Sequence, residues 1–111
     1  MTDPSYTYVF IREDLSIPQL IVQSSHAAWD AGSRFNKPHG TPHMVLIGVK
    51  SQDHLRQTAD YLEQHGIEFE MFYEPDYDTG YTSIATKPLI GDARKPLKKY
   101  KLFGKEFDSQ V

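Results

Sequence analysis

The sequence predicts an α/β fold: a three-layer sandwich, with a mixed sheet of about four strands and helices on both faces, formed by one domain spanning residues 1–111. Three observations carry that expectation. Aromatic and β-branched runs alternate with stretches of helical spacing, in the order β-α-β-α-β-β-α. A chain of 111 residues, 39% hydrophobic and 13% aromatic, has material for one core and little room for a second. It has no cysteine, so no disulfide staples it.

Tyr6–Arg12 (Tyr-Thr-Tyr-Val-Phe-Ile-Arg) reads as the first strand. Ser16 suits an N-cap, and Pro18 fits the first turn, where a missing N–H costs nothing. That helix is expected to run to about Ala31 and to stop at Gly32. Residues 33–42, with two prolines, a glycine and an asparagine, read as a loop. Met44–Val49 is almost continuously apolar, as a central strand covered on both faces would be. Ser51 caps a second helix, Gln52–His65, with Leu55, Ala59 and Leu62 at helical spacing and Gly66 as its stop. Ile67–Tyr73 is expected as a half-buried strand, Glu74–Gly80 as a polar turn and Tyr81–Lys87 as the fourth strand. Asp92–Tyr100 suggests a short basic helix limited by Pro96, and Lys101–Phe103 a last strand or a docked tail.

Composition also narrows the function. The apolar runs are too short to cross a bilayer, and the start of the chain lacks the basic and apolar segments of a secretory signal, so a soluble cytoplasmic protein with no membrane partner is expected. Without cysteine, thiolate nucleophiles and cysteine metal sites are excluded. His39 and His43 are four apart, but Gly40 and Pro42 break any helix that would pair them, so no metal and no cofactor is expected. Asp78-Thr79-Gly80 has the letters of the aspartic protease triplet without its apolar flanks, and reads as a turn. The net charge is −3 but unevenly spread. Residues 53–78 hold eight acids and one base; residues 87–105 hold seven bases, Lys105 the last, and one acid. The basic third either draws a polyanion or balances the acidic middle.

On the first helix, Gln19, Gln23, His26 and Asp30 are spaced four, three and four apart and share one face, while Ile17, Leu20, Ala28 and Ala31 form a stripe suited to the sheet. Amide, imidazole and carboxylate groups in a row can bind phosphate or sugar, or orient a water; the same pattern also suits an ordinary solvated face.

Arg12-Glu13-Asp14-Leu15 followed by Gln23-Ser24-Ser25-His26-Ala27-Ala28 resembles the opening of the type II peptidyl-tRNA hydrolases, with their Arg-Thr-Asp-Leu stretch and helical Gln-Cys-Ser-His-Ala-Ala motif. The likeness continues in Gly40-Thr41-Pro42, in Thr82-Ser83-Ile84-Ala85-Thr86-Lys87-Pro88 and in Lys98-Lys99-Tyr100-Lys101-Leu102-Phe103. It departs at Gln19 and at His43, where the family has lysines, and at Glu74–Gly80, a shortened form of the family's Asp-Ala-Gly-Arg-Thr-Gln loop.

The resemblance implies hydrolysis of the ester between a peptidyl or aminoacyl group and the terminal ribose of tRNA. It assigns His26 as base or water-orienter, Gln23 as hydrogen-bond donor to the carbonyl, and Asp76 (or Glu74) as the orienting carboxylate. Arg12, Gln19, His43, Lys87, Lys98 and Lys99 are the candidates for binding substrate or RNA, with Arg12, His43 or Lys87 standing in for the missing lysines. The alternative is a catalytically inactive module on the same fold that binds RNA, a nucleotide or a protein. A homodimer is expected in either case, and a purely structural partner is a third class.

Overall fold

The computed structural model describes residues 3–37 and 40–104. His39 and Lys105 therefore lie outside the described residues. The chain forms an α/β fold with a mixed, open sheet and helices on both sheet faces. Strand β1 (Ser5–Arg12) leads into helix α1 (Ile17–Arg34), strand β2 (His43–Val49) and helix α2 (Gln52–Gln64). Strands β3 (Phe69–Glu74) and β4 (Gly80–Thr86) flank a 3₁₀ turn at Asp76–Asp78. A two-residue strand β5 (Leu89–Ile90) and a 3₁₀ segment at Gly91–Leu97 follow.

The sheet order is β2-β1-β4-β3. β1 pairs in parallel with β2, from Tyr6 opposite His43 to Arg12 opposite Val49. On its other edge β1 pairs antiparallel with β4 at Val9–Ile11 and with β5 at Ser5 and Tyr6. Where the ladder passes from one strand to the other, the Tyr8 N–H donates to the Thr86 hydroxyl at 3.0 Å. The polar side chain thus replaces a missing main-chain partner.

Alternation along β1 divides its side chains between two cores. Tyr8 and Phe10 join Ile47, Val49, Leu55, Leu62, Ile84 and Leu97 beneath α2. Val9 meets Ala27, Ala31 and Ala85 beneath α1.

Several boundaries differ from the sequence expectation. Met44–Val49 belongs to an edge strand, and the central strands are β1 and β4. Its apolar run arises because Ile47 and Val49 enter the α2-side core while α1 leans over β1, β3 and β4, leaving Met44 half exposed. Gly32 does not end α1: the helix continues to Arg34, and the Phe35 N–H closes the last turn on the Ala31 carbonyl. That extra turn is anchored because Phe35 packs on the α1-side core and Arg34 bonds the Phe69 carbonyl and the Glu70 carboxylate. Of the two readings of residues 101–103, a last strand or a docked tail, the tail is the one found: the Phe103 N–H donates to the Leu46 carbonyl.

Candidate functional site

α1 turns a different face to the sheet from the one its apolar residues suggest. Its buried residues are Gln23, Ala27 and Ala31. Ile17, Ile21, Val22 and Trp29, by contrast, are exposed, Trp29 by 78%. Two alanines bring the helix close to Val9 and Ala85, too close for isoleucine or tryptophan side chains. Ser16 and Gln19 start the helix with a reciprocal capping box: each side chain bonds the other residue's main-chain N–H. Gln19 is therefore part of the helix end.

Gln23, 5% exposed, is bonded at every polar group it turns to the sheet. Its Oε1 accepts from the Thr82 hydroxyl at 2.8 Å, and its main-chain carbonyl accepts from Ser83 Oγ at 2.7 Å. Its Nε2 donates to Glu74 Oε2 at 2.9 Å. The other carboxylate oxygen of Glu74 accepts the Asp76 N–H at 3.1 Å. These two hydrogen bonds, the one from Gln23 first, hold the Glu74 carboxyl below its ordinary pKa, and the charge of His26 acts in the same direction. One turn along α1, the exposed His26 ring lies flat on Phe72, with centroids 4.4 Å apart and planes 5° from parallel. The loop beyond Glu74 turns sharply, with both Tyr77 and Asp78 at φ 56°, a conformation sparsely populated by residues other than glycine.

Gln23 and Glu74 are therefore joined directly; His26, stacked on Phe72, is near enough for its charge to act on Glu74, but no hydrogen bond or ion pair joins the two. Of the two carboxylates offered by the sequence, Glu74 is the one bonded to Gln23, while Asp76 contributes its main-chain N–H and keeps its side chain exposed.

The candidate binding residues do not gather there. Arg12 chelates Asp14 through Nε and Nη2 at 2.9 and 2.8 Å, and its Nη1 holds the Thr79 and Tyr81 carbonyls. It closes the end of the β3–β4 loop. Lys87 pairs with Glu68 at 3.5 Å. His43 stacks on Tyr6, and Lys99 sits 3.6 Å from the centre of the Tyr61 ring; both rings pack on the α2-side core. Lys98 follows Leu97 on that same side of the sheet, away from α1.

Glu74 as the hub, Phe72 as the ring beneath His26, and Thr82 and Ser83 as the fixings of Gln23 are not evident from spacing along the chain. The one sequence signal is the presence of Thr82, Ser83 and Thr86 in a strand that proves nearly wholly buried. Among the described residues, no group of three or more histidines, aspartates or glutamates could hold a metal ion. No described helix is long and apolar enough to cross a membrane.

No protein-family model and no curated protein matches the sequence. Among solved structures the chain is similar to a protein of unknown function from Agrobacterium tumefaciens, with a TM-score of 0.65 at 14% identity over 94% of this chain and 100% of that one. At that identity the likeness speaks to the fold.

Proposed function

We propose that this chain is a divergent relative of the type II peptidyl-tRNA hydrolases that hydrolyses an acyl ester on an RNA end in the cytoplasm. The observation that carries the reading is the pairing of Gln23 with Glu74 on the α1 face that also presents His26: a buried amide pins a carboxylate, and an exposed imidazole lies stacked on Phe72 one turn along the same helix. In this reaction His26 takes a proton from water, the water oxygen attacks the ester carbonyl, and the bond to the ribose oxygen breaks as that oxygen is protonated. An imidazole suits the role near neutral pH. Phe72 fixes the ring plane, and Gln23 acts as a positioning residue through Glu74.

The test is release of an N-blocked aminoacyl group from tRNA. His26→Ala should lower the rate by about 10²- to 10⁴-fold, the range for a lost general base. Glu74→Gln should lower it less and alter the pH profile. Full activity in His26→Ala removes the base.

The second reading is a homodimeric module that binds without turnover. It is favoured by one observation: Arg12 is spent on Asp14 and two carbonyls, and His43, Lys98 and Lys99 lie across the sheet from His26. A wild-type protein with no ester cleavage would leave this reading.

A further inference from the structure

On the α2 side of the sheet, the 3₁₀ segment Gly91–Leu97 and the residues after it wall an open cavity of about 450 Å³ against β1 and β2. Its lining brings Arg94 and Lys98 together with the Tyr8 ring and the apolar side chains of Val45, Leu97 and Leu102. Arg94 is held in place: its guanidinium carbon lies 3.4 Å from the centre of the Tyr6 ring, and its Nε donates to the Tyr8 hydroxyl at 2.8 Å. Tyr8 is itself 5% exposed, so the clamp is anchored in the core.

Among the described residues, no carboxylate pairs with Arg94 or Lys98, and no hydrogen bond occupies the terminal nitrogens of Arg94. Asp92, the nearest acid along the chain, pairs with Lys95 instead, at 3.4 Å. A planar guanidinium fixed through Nε and the stacked ring presents its two terminal nitrogens side by side, the geometry that meets an oxyanion with two parallel hydrogen bonds.

From these features we infer that the cavity binds a small amphipathic oxyanion: a carboxylate or phosphate monoester held by Arg94 and Lys98, with an aromatic or branched apolar group against Val45, Leu97 and Leu102. The apolar walls distinguish it from a surface that follows a nucleic-acid backbone, and its size falls in the range of small-molecule sites, about 300–1,000 Å³. The site is separate from the His26 face and independent of whether that face catalyses.

The probes are phenyl phosphate, benzoate and inorganic phosphate, each titrated into the whole chain and followed by amide NMR shifts. Phenyl phosphate should give saturable shifts at Val45, Leu97 and Leu102, with benzoate moving the same amides. Inorganic phosphate should bind several-fold more weakly, because it leaves the apolar walls empty. Arg94→Gln should weaken phenyl phosphate by about tenfold or more, as expected for loss of a charged hydrogen-bonding partner. Lys98→Glu, a change at an exposed position that leaves the Tyr6 and Tyr8 contacts intact, should weaken it several-fold and guards against misfolding of the first variant. Three results would overturn the assignment: no saturable shift at these residues, unchanged affinity in both folded variants, or equal affinity for inorganic phosphate. Displacement of phenyl phosphate by a short single-stranded RNA with a steep salt dependence would overturn it too, since the cations would then serve backbone phosphates.

Discussion

The two faces of the sheet are built from different chemistry. Beneath α2, large side chains close on one another, with Phe10, Leu55, Leu62 and Ile84 at zero exposure. Beneath α1 the buried apolar residues are Val9 and the three alanines Ala27, Ala31 and Ala85, with Phe35, Leu46 and Phe72 only partly buried at the margin, and hydrogen bonds from Thr82 and Ser83 to Gln23 help seat the helix. The first face gains its stability from buried apolar area. The second gains closeness: a helix seated on alanines stands near enough for a glutamine to reach from its axis to two strands. That arrangement ties Glu74 to Gln23 on the face that presents His26, and it turns Ile17, Ile21 and Trp29 outward.

If this division is right, the largest loss of stability comes from the α2 face. Leu62→Ala removes a fully buried side chain from the larger core and should cost about 2–5 kcal/mol, measured by urea unfolding. The stacking of His26 on Phe72, on the other face, should survive in the folded fraction. A cost well under 1 kcal/mol would mean that this core is loosely filled.

An intermediate effect probes the polar seat of α1. Gln23→Met keeps the length of the side chain but strips Thr82 Oγ1 of its best partner, and should cost about 1–3 kcal/mol. Thr82→Val removes the other half of the same bond. The double variant should therefore cost less than the sum of the two, because neither group is then left unpaired. Strict additivity would show that the hydrogen bond does not seat the helix.

How legible each face was in the sequence follows from the same contrast. α2 was readable because apolar spacing and burial coincide at Leu55, Ala59 and Leu62, and because Ser51 and Gly66 mark its ends, the glycine at φ 67°. The start of α1 was equally clear, since Ser16 and Pro18 have local reasons to be there. The side of α1 that meets the sheet was not. Hydrophobicity assigns Ile17 to the interior, whereas close approach favours Ala27 and a bonded Gln23, and that requirement comes from β4, far along the chain. β2 misled for a related reason: its apolar run reflects one well-covered face and one that α1 leaves open. Glu74 and Asp76 could not be ranked from sequence because the choice depends on how the β3 bulge between Phe72 and Tyr73 aims the strand end.

The smallest effect is on acid stability, and it tests the α1 face most directly. The Glu74 carboxyl titrates below its ordinary value of 4.5 when folded, chiefly because Gln23 donates to the ionised form. The unfolded chain takes up this proton at the higher pH, so the ionised group favours the folded state above about the ordinary value, and this contribution fades as pH falls through the folded pKa. The unfolding midpoint of the wild type should therefore exceed that of Glu74→Gln near neutrality, with the gap narrowing in acid. The same titration, followed at the Glu74 carboxyl carbon by NMR, should move up toward 4.5 in Gln23→Met. An unmoved titration would mean that the Asp76 N–H and His26 hold the carboxylate by themselves. Gln23 would then seat the helix without orienting the Glu74 carboxylate, and the link between the polar packing of this face and its chemistry would be cut.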